Sequence, residues 1–196
     1  GRNYGKHIEE LGNVRPETPV IFMKPDSAIL QKKQPFFIPQ FTDNVHYEAE
    51  VIVKINKLGK SIAAKFSPKY YDQISLGIDF TARDLQEELK AKSLPWEKAK
   101  AFDGSAVIGN WLNKKSFDLQ NLNFKLQRNG EVVQNGNTSD MLWQIDELIE
   151  EISKTFTLKI GDIIFTGTPA GVGKVEINDE LKGFVEGEEV FSLRVK

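Results

Sequence analysis

Over residues 46–55 the chain alternates between apolar and polar positions. Tyr47, Ala49, Val51, Val53 and Ile55 share one parity, while His46, Glu48 and Glu50 share the other. A period of two predicts a β-strand with one face on a core. Further strands are predicted over 20–23, stopped by Lys24-Pro25, over 71–80, over 158–165 with a turn at Gly161-Asp162, and over 190–195. Residues 122–127 and 131–134 flank Asn129-Gly130, a two-residue hairpin turn. A short helix is expected over 7–11. Thr81-Ala82-Arg83-Asp84 reads as a capping box opening a helix to about Lys92, with Leu94-Pro95 as its stop. Ser139 is expected to cap another helix, whose Leu142, Ile145, Ile149 and Ile152 stand at helical spacing. Residues 1–19 are polar and end in prolines, and 26–44 read as loop with a short edge strand. Strands dominate and no repeat or linker interrupts them. The expectation is an α+β, mostly β fold in a single catalytic domain over 1–196.

Composition narrows the function classes. A chain of 196 residues, 40% hydrophobic and 28% charged, is ordinary for a water-exposed globular protein. A formal net charge of −2 gives no electrostatic case for nucleic acid or an anionic membrane. The absence of cysteine excludes disulfides, thiolate metal sites and cysteine nucleophiles. It fits a reducing compartment. With no signal peptide or membrane-length apolar run, the expected location is cytoplasmic. The chain opens at Gly1 rather than Met, so a few native residues are expected upstream. Asn137-Thr138-Ser139 fits a glycosylation sequon, which is set aside without a secretion signal.

Glu48 and Glu50 point the same way along one strand, about 7 Å apart. Two such carboxylates repel unless something positive lies between them. A divalent cation answers this, and oxygen-only ligands favour Mg²⁺, Mn²⁺ or Ca²⁺ over zinc; a solvated strand face answers it equally. His46 could ligate or, preferably, orient a carboxylate through a hydrogen bond. His7 and Glu10, three apart on a helix, form either a general base with its orienting carboxylate or an ordinary surface pair. Arg83 and Gln86 could hold a substrate carboxylate or decorate a helix surface. Lys100, beside Ala99, Ala101 and Phe102, is either a functional buried amine or a snorkelling one. The glycine-rich run 165–174 fails the phosphate-loop pattern, because no glycine lies five residues before Gly173 and Val175 replaces Ser/Thr. It remains a strand-end loop that could bring N–H groups and the Thr168 hydroxyl to a ligand, or plain turn chemistry.

Together these segments resemble the fumarylacetoacetate hydrolase superfamily, nearest its small acylpyruvate hydrolases that also decarboxylate oxaloacetate. The resemblance rests on the order of Gly1-Arg2-Asn3-Tyr4, Phe22-Met23-Lys24-Pro25, His46-Tyr47-Glu48-Ala49-Glu50 and Asp79-Phe80-Thr81-Ala82-Arg83-Asp84. It continues through Leu94-Pro95-Trp96, Ala99-Lys100, Gly161-Asp162-Ile163-Ile164 and the run from Thr166 to Gly173. It implies a rolled mixed β-sheet and Mg²⁺ or Mn²⁺ on Glu48, Glu50 and Asp79. It further implies Lys100, His7 and Glu10 as catalytic groups, with Arg83, Gln86, Thr168 and Lys24 on substrate. Residues 1–19 then form a mobile lid, and the assembly is a homodimer. Two departures stand out. The chain has no room for the extra N-terminal domain of the larger eukaryotic fumarylacetoacetases. Where many relatives carry a proline-rich Asp-Thr-x-x-Pro-x-Gly-Pro, this chain has Asp103-Gly104-Ser105-Ala106-Val107-Ile108-Gly109-Asn110.

The implied activity is hydrolysis of the C3–C4 bond of acylpyruvate-type 2,4-dioxo acids, with oxaloacetate decarboxylation from the same site. An isomerase or hydratase of 2-oxo dioic acids and a non-catalytic 2-oxo-acid-binding protein are the alternatives. Three carboxylates around a divalent ion leave a local charge near −1, to which Lys100 adds positive charge. Removing one carboxylate from the metal-free protein is expected to relieve repulsion.

Overall fold

A computed structural model describes residues 1–196. The chain opens with helix α1 (Gly5–Glu10), crosses a long irregular segment, and enters strands β1 (Val45–Tyr47) and β2 (Ala49–Ile55). Strands β3 (Tyr71–Asp79) and β4 (Thr81–Ala82) lead into helices α2 (Arg83–Ala91) and α3 (Glu97–Lys100). Short strands β5 (Ala106–Ile108) and β6 (Leu112–Asn113) follow, then the hairpin of β7 (Asn123–Arg128) and β8 (Glu131–Asn137). Helix α4 (Ile145–Thr155) precedes β9 (Ile163–Phe165), β10 (Gly173–Lys174), β11 (Glu180–Val185) and β12 (Glu188–Arg194).

The strands form three curled sheets, ordered β10-β1-β4, β12-β11-β7-β8 and β5-β3-β2-β9, with β6 also on β3. Every pairing between named strands is antiparallel. Parallel pairing is confined to isolated bridges, Ile29 with Ala106 and Phe36 with Val195. The architecture is thus α+β and mostly β, as expected. One core of 29 buried residues joins the sheets, including Phe36, Leu76, Phe80, Leu126, Ile149 and Leu181. Each such side chain contributes about 1.5–3 kcal/mol of burial.

Several sequence expectations need correction. The strand over 46–55 is two strands in two sheets, broken at Glu48, because β1 pairs with β10 and β4 while β2 pairs with β3 and β9. Both parities of β2 are buried, so Glu48 and Glu50 lie in the interior, not on a solvated face. Residues 20–23 form no strand; with no neighbouring strand to pair with, they line a cavity. Of 158–165 only β9 is strand, since the Gly161-Asp162 turn shortens it. Thr81 belongs to β4 and caps nothing, its hydroxyl being taken by Lys100. Ser139 lies in a 3₁₀ turn, and α4 is capped instead at Gln144, whose N–H donates to the Glu147 carboxylate at 2.7 Å. The Asn129-Gly130 turn is as expected: both residues have positive φ, +53° and +88°, which a two-residue primed turn requires.

Candidate active site

The first carboxylate sits where the chain passes between sheets, and the second follows two residues on, inside β2. Asp79 ends β3 opposite Glu48, its N–H donating to the Glu48 carbonyl at 2.8 Å. This antiparallel register brings oxygens of Glu48, Glu50 and Asp79 within 4.8 Å of one another, all buried. The donor set is hard and purely anionic, which fits Mg²⁺ or Mn²⁺.

Three cations from three other segments meet the carboxylates. Lys100 Nζ, at the end of α3, lies 2.7 Å from both Glu48 Oε2 and Asp79 Oδ2, and donates to Thr81 Oγ1 at 2.6 Å. Lys24 Nζ is 2.7 Å from Asp79 Oδ1 and 2.9 Å from Ser105 Oγ. Arg83, opening α2, pairs with Glu48 Oε1 and donates to Gln86 Oε1 at 2.6 Å. The charge balance therefore differs from the sequence expectation: cations already match the carboxylates, and a divalent ion would leave the site near +2. Arg83 Nε is buried without a partner, a donor suited to an incoming anion. The segment that departs from the family pattern contributes Ser105, whose hydroxyl donates to the Lys100 carbonyl at 2.9 Å and supports both lysines.

The two glutamates are not equivalent. Burial disfavours the Glu48 anion, but Lys100 and then Arg83 outweigh it and hold its pKa well below the ordinary range. Glu50 has only the Gly167 N–H, donated at 2.6 Å. Burial and then the charge of Asp79 push its pKa up to about 7. Burial opposes the Lys100 cation too, yet Asp79 and Glu48 raise its pKa. Lys24 goes the other way, its pKa lowered mainly by burial.

The N-terminal segment closes over this cluster. Asn3 anchors it: its amide donates to the carbonyls of Trp143 and Thr166, at 2.9 and 2.8 Å, and accepts from Trp143 N–H. Helix α1 then presents His7, buried, with Nδ1 3.3 Å from Glu10 Oε2. Burial lowers the His7 pKa against the pull of Glu48 and Glu10, so the ring is neutral near pH 7. The other Glu10 oxygen accepts the Gly171 N–H at 3.0 Å. The glycine-rich loop after β9 thus touches Glu50 through Gly167 and Glu10 through Gly171. Both glycines have positive φ, near +100°, and a Cβ on Gly171 would meet the Val133 carbonyl at 2.3 Å.

His46 does not orient a carboxylate. It leans away, with Nε2 2.9 Å from Asn44 Oδ1. Two participants were given no role by the sequence: Asn3, which appears there only within the Gly1-Arg2-Asn3-Tyr4 segment, and Gln134 on β8, which reaches Ala49 and Thr168. Their only local signal is a polar residue at a buried position. A cavity of about 660 Å³ lies beside the cluster, walled by Phe22, Met23, Trp143 and β9, and touched by Glu50, Asp79 and Lys24. His7, Arg83, Gln86, Lys100 and Thr168 do not line it, so it is not the space these residues surround.

No helix is long and apolar enough to cross a membrane. A family model for the fumarylacetoacetate hydrolase C-terminal domain matches residues 1–195. The chain is 41% identical over 192 residues to the oxaloacetate tautomerase YcgM of Escherichia coli K12, covering 97% of this chain and 88% of that protein. It is 40% identical over 189 residues to a mitochondrial oxaloacetate decarboxylase of Dictyostelium discoideum, covering 95% and 87%. The crystal structure of fumarylpyruvate hydrolase from Pseudomonas aeruginosa, in complex with Mn²⁺ and pyruvate, superposes with a TM-score of 0.92. Identity there is 34%, with 100% of this chain and 86% of that chain covered.

Proposed function

The chain belongs to the fumarylacetoacetate hydrolase family and is an enzyme, and we propose that it cleaves the C3–C4 bond of acylpyruvate-type 2,4-dioxo acids and also decarboxylates oxaloacetate. The observation that carries this reading is the buried His7 imidazole, backed by Glu10 and closed over a carboxylate–lysine cluster. Mg²⁺ or Mn²⁺ on Glu48, Glu50 and Asp79 would supply Lewis-acid charge to the carboxylate and 2-oxo oxygens of the substrate.

The chain's own residues do the rest. Arg83 and Gln86 bind the substrate carboxylate, with Arg83 Nε as the free donor. Lys100 and Lys24 hold positive charge beside the oxygen on which negative charge grows as the bond to C3 breaks. Glu10 fixes the proton of His7 on Nδ1, leaving Nε2 to accept a proton from the water that attacks C4. The lid we propose over residues 1–19 is anchored at Asn3, so its motion lies beyond that residue. Closure excludes all water but the one attacked with. Loss of CO₂ from oxaloacetate uses the same charge stabilisation and needs no attacking water.

A second reading, enol–keto tautomerisation of oxaloacetate, is favoured by the bacterial relative's name. There His7 would move a proton to or from C3. Turnover of acetylpyruvate, oxaloacetate and a 2-hydroxydienoate, each with Mg²⁺ or Mn²⁺, separates the readings. Hydrolysis is expected, with His7→Ala lowering it by about 10²-fold, the scale of a general base, and decarboxylation falling much less. Parallel loss of both reduces His7 to a lid role. Unchanged hydrolysis rules out the base, and tautomerisation without hydrolysis selects the second reading. No turnover of any of the three rules out both readings. The proposed assembly is a homodimer, overturned by a monomer in light scattering at micromolar concentration. The proposed cytoplasmic location is tested by cell fractionation, one relative's name being mitochondrial.

A further inference from the structure

Gln134 lies on β8, in the sheet that carries none of the three carboxylates, and is 1% exposed. Its side chain nevertheless reaches the peptide between Glu48 and Ala49, where the chain passes from one sheet to the next. The carbonyl of that peptide accepts the Asp79 N–H. Its N–H faces the side on which β9 pairs with β2. That ladder runs from Lys54 to Ile52 and ends with Thr166 N–H on the Val51 carbonyl at 3.1 Å. At Gly167 the backbone turns, at φ +100°, and gives its N–H to the Glu50 side chain. No strand remains to accept the Ala49 N–H, and Gln134 Oε1 accepts it at 2.9 Å. The same amide donates through Nε2 to Thr168 Oγ1 at 2.8 Å and to the Pro169 carbonyl at 3.0 Å.

We propose that Gln134 is a positioning residue that acts on the site in two directions. Toward the carboxylates, it replaces the missing ladder partner and locks the Glu48–Ala49 peptide against Asp79. The two ligand-bearing strands then meet in one fixed register. Toward the loop, it fills one lone pair of the Thr168 hydroxyl and leaves its O–H free to donate. That O–H suits an acceptor, such as a substrate carboxylate or carbonyl oxygen. The second half rests on the proposed 2-oxo acid reading; the first does not.

Gln134→Glu and Gln134→Met in the full chain separate the two halves. Glutamate keeps the acceptor for Ala49 but has no amide donor. Methionine, similar in length, removes both. Losing the Ala49 bond should speed amide exchange in the peptide containing Ala49 by about tenfold in the Met variant, the scale of one hydrogen bond, and leave the Glu variant near wild type. Mn²⁺ affinity by calorimetry should fall about tenfold in the Met variant only, within the range for residues that orient metal ligands. KM should rise about tenfold in both variants with kcat changed less. A merely structural role would lower Tm in both without splitting Glu from Met. The proposal is overturned if Ala49 exchange and Mn²⁺ affinity change equally in the two variants, or in neither. If the Met variant does not fold, loss of Ala49 protection or of Mn²⁺ affinity in the Glu variant overturns it. If wild type turns over no substrate of the panel, the functional reading fails while exchange and Mn²⁺ binding still decide the role of Gln134.

Discussion

The β12-β11-β7-β8 sheet and the β5-β3-β2-β9 sheet are built from the same kinds of residue and use them in opposite ways. In β11 burial alternates strictly, Leu181, Gly183 and Val185 inward against Glu180, Lys182 and Phe184. Its charges meet at the half-exposed surface, as Lys182 does Glu180 at 3.3 Å. In β2 both faces are buried, and Glu50 on it and Glu48 just before it are held by groups from other segments. One sheet keeps charge in water. The other takes charge inside and compensates it with Lys24, Arg83 and Lys100, leaving Glu50 alone without a cation in contact. Buried carboxylates at the junction of β2 and β3 are therefore the mark of the site in this molecule.

Matched substitutions test that contrast. Lys100→Met should cost at least about 10³-fold in turnover, since it removes the cation shared by Glu48 and Asp79 where charge develops; activity within tenfold of wild type would erase the distinction between the sheets. The next effect is on stability. The metal-free protein should lose about 3 kcal/mol in Glu48→Gln, because Arg83 loses its carboxylate and Lys100 one of its two. Glu50→Gln should raise stability, because it removes a buried carboxylate with no cation in contact while glutamine can still accept the Gly167 N–H. Denaturant melts in chelator decide, and equal shifts of both variants would refute the inequality of the glutamates. This replaces the expectation that loss of any one carboxylate relieves repulsion. The smallest effect belongs to Lys182→Met: about 0.5 kcal/mol or less, with turnover unchanged, as befits a solvated pair.

The contrast also explains what could be read from the sequence. The Glu48/Glu50 pattern was legible because carboxylates interrupt an apolar alternation, and Asp79 because it ends a clear strand. The hand-over at Glu48 was not, since both halves continue the same period of two in different sheets. Residues 20–23 have strand composition, but composition supplies no partner. Gln134 follows Val132 and Val133, so hydropathy would turn a valine inward. A bulge in the β7–β8 ladder instead leaves Val132 53% exposed and Gln134 buried. Thr81 has capping chemistry that Lys100 claimed for another use, and Ser139 went into a local 3₁₀ turn closed by Asn137. The lysines were visible only as residues; their ion pairs join positions 52 and 21 apart in the chain for Lys100 alone.

The hand-over at Glu48 has a kinetic side. The contacts that fix it span 85 residues to Gln134, and Glu50 waits for Gly167, 117 residues on. Such closures are slow steps, typical of β-rich chains that fold in milliseconds to seconds. Neither hairpin nor helix alone can gather the carboxylates, so no partly folded chain owns the cluster. Metal capture would then come last in the life of a newly made chain, and a stopped-flow Mn²⁺ signal during refolding would time the completion of the whole fold.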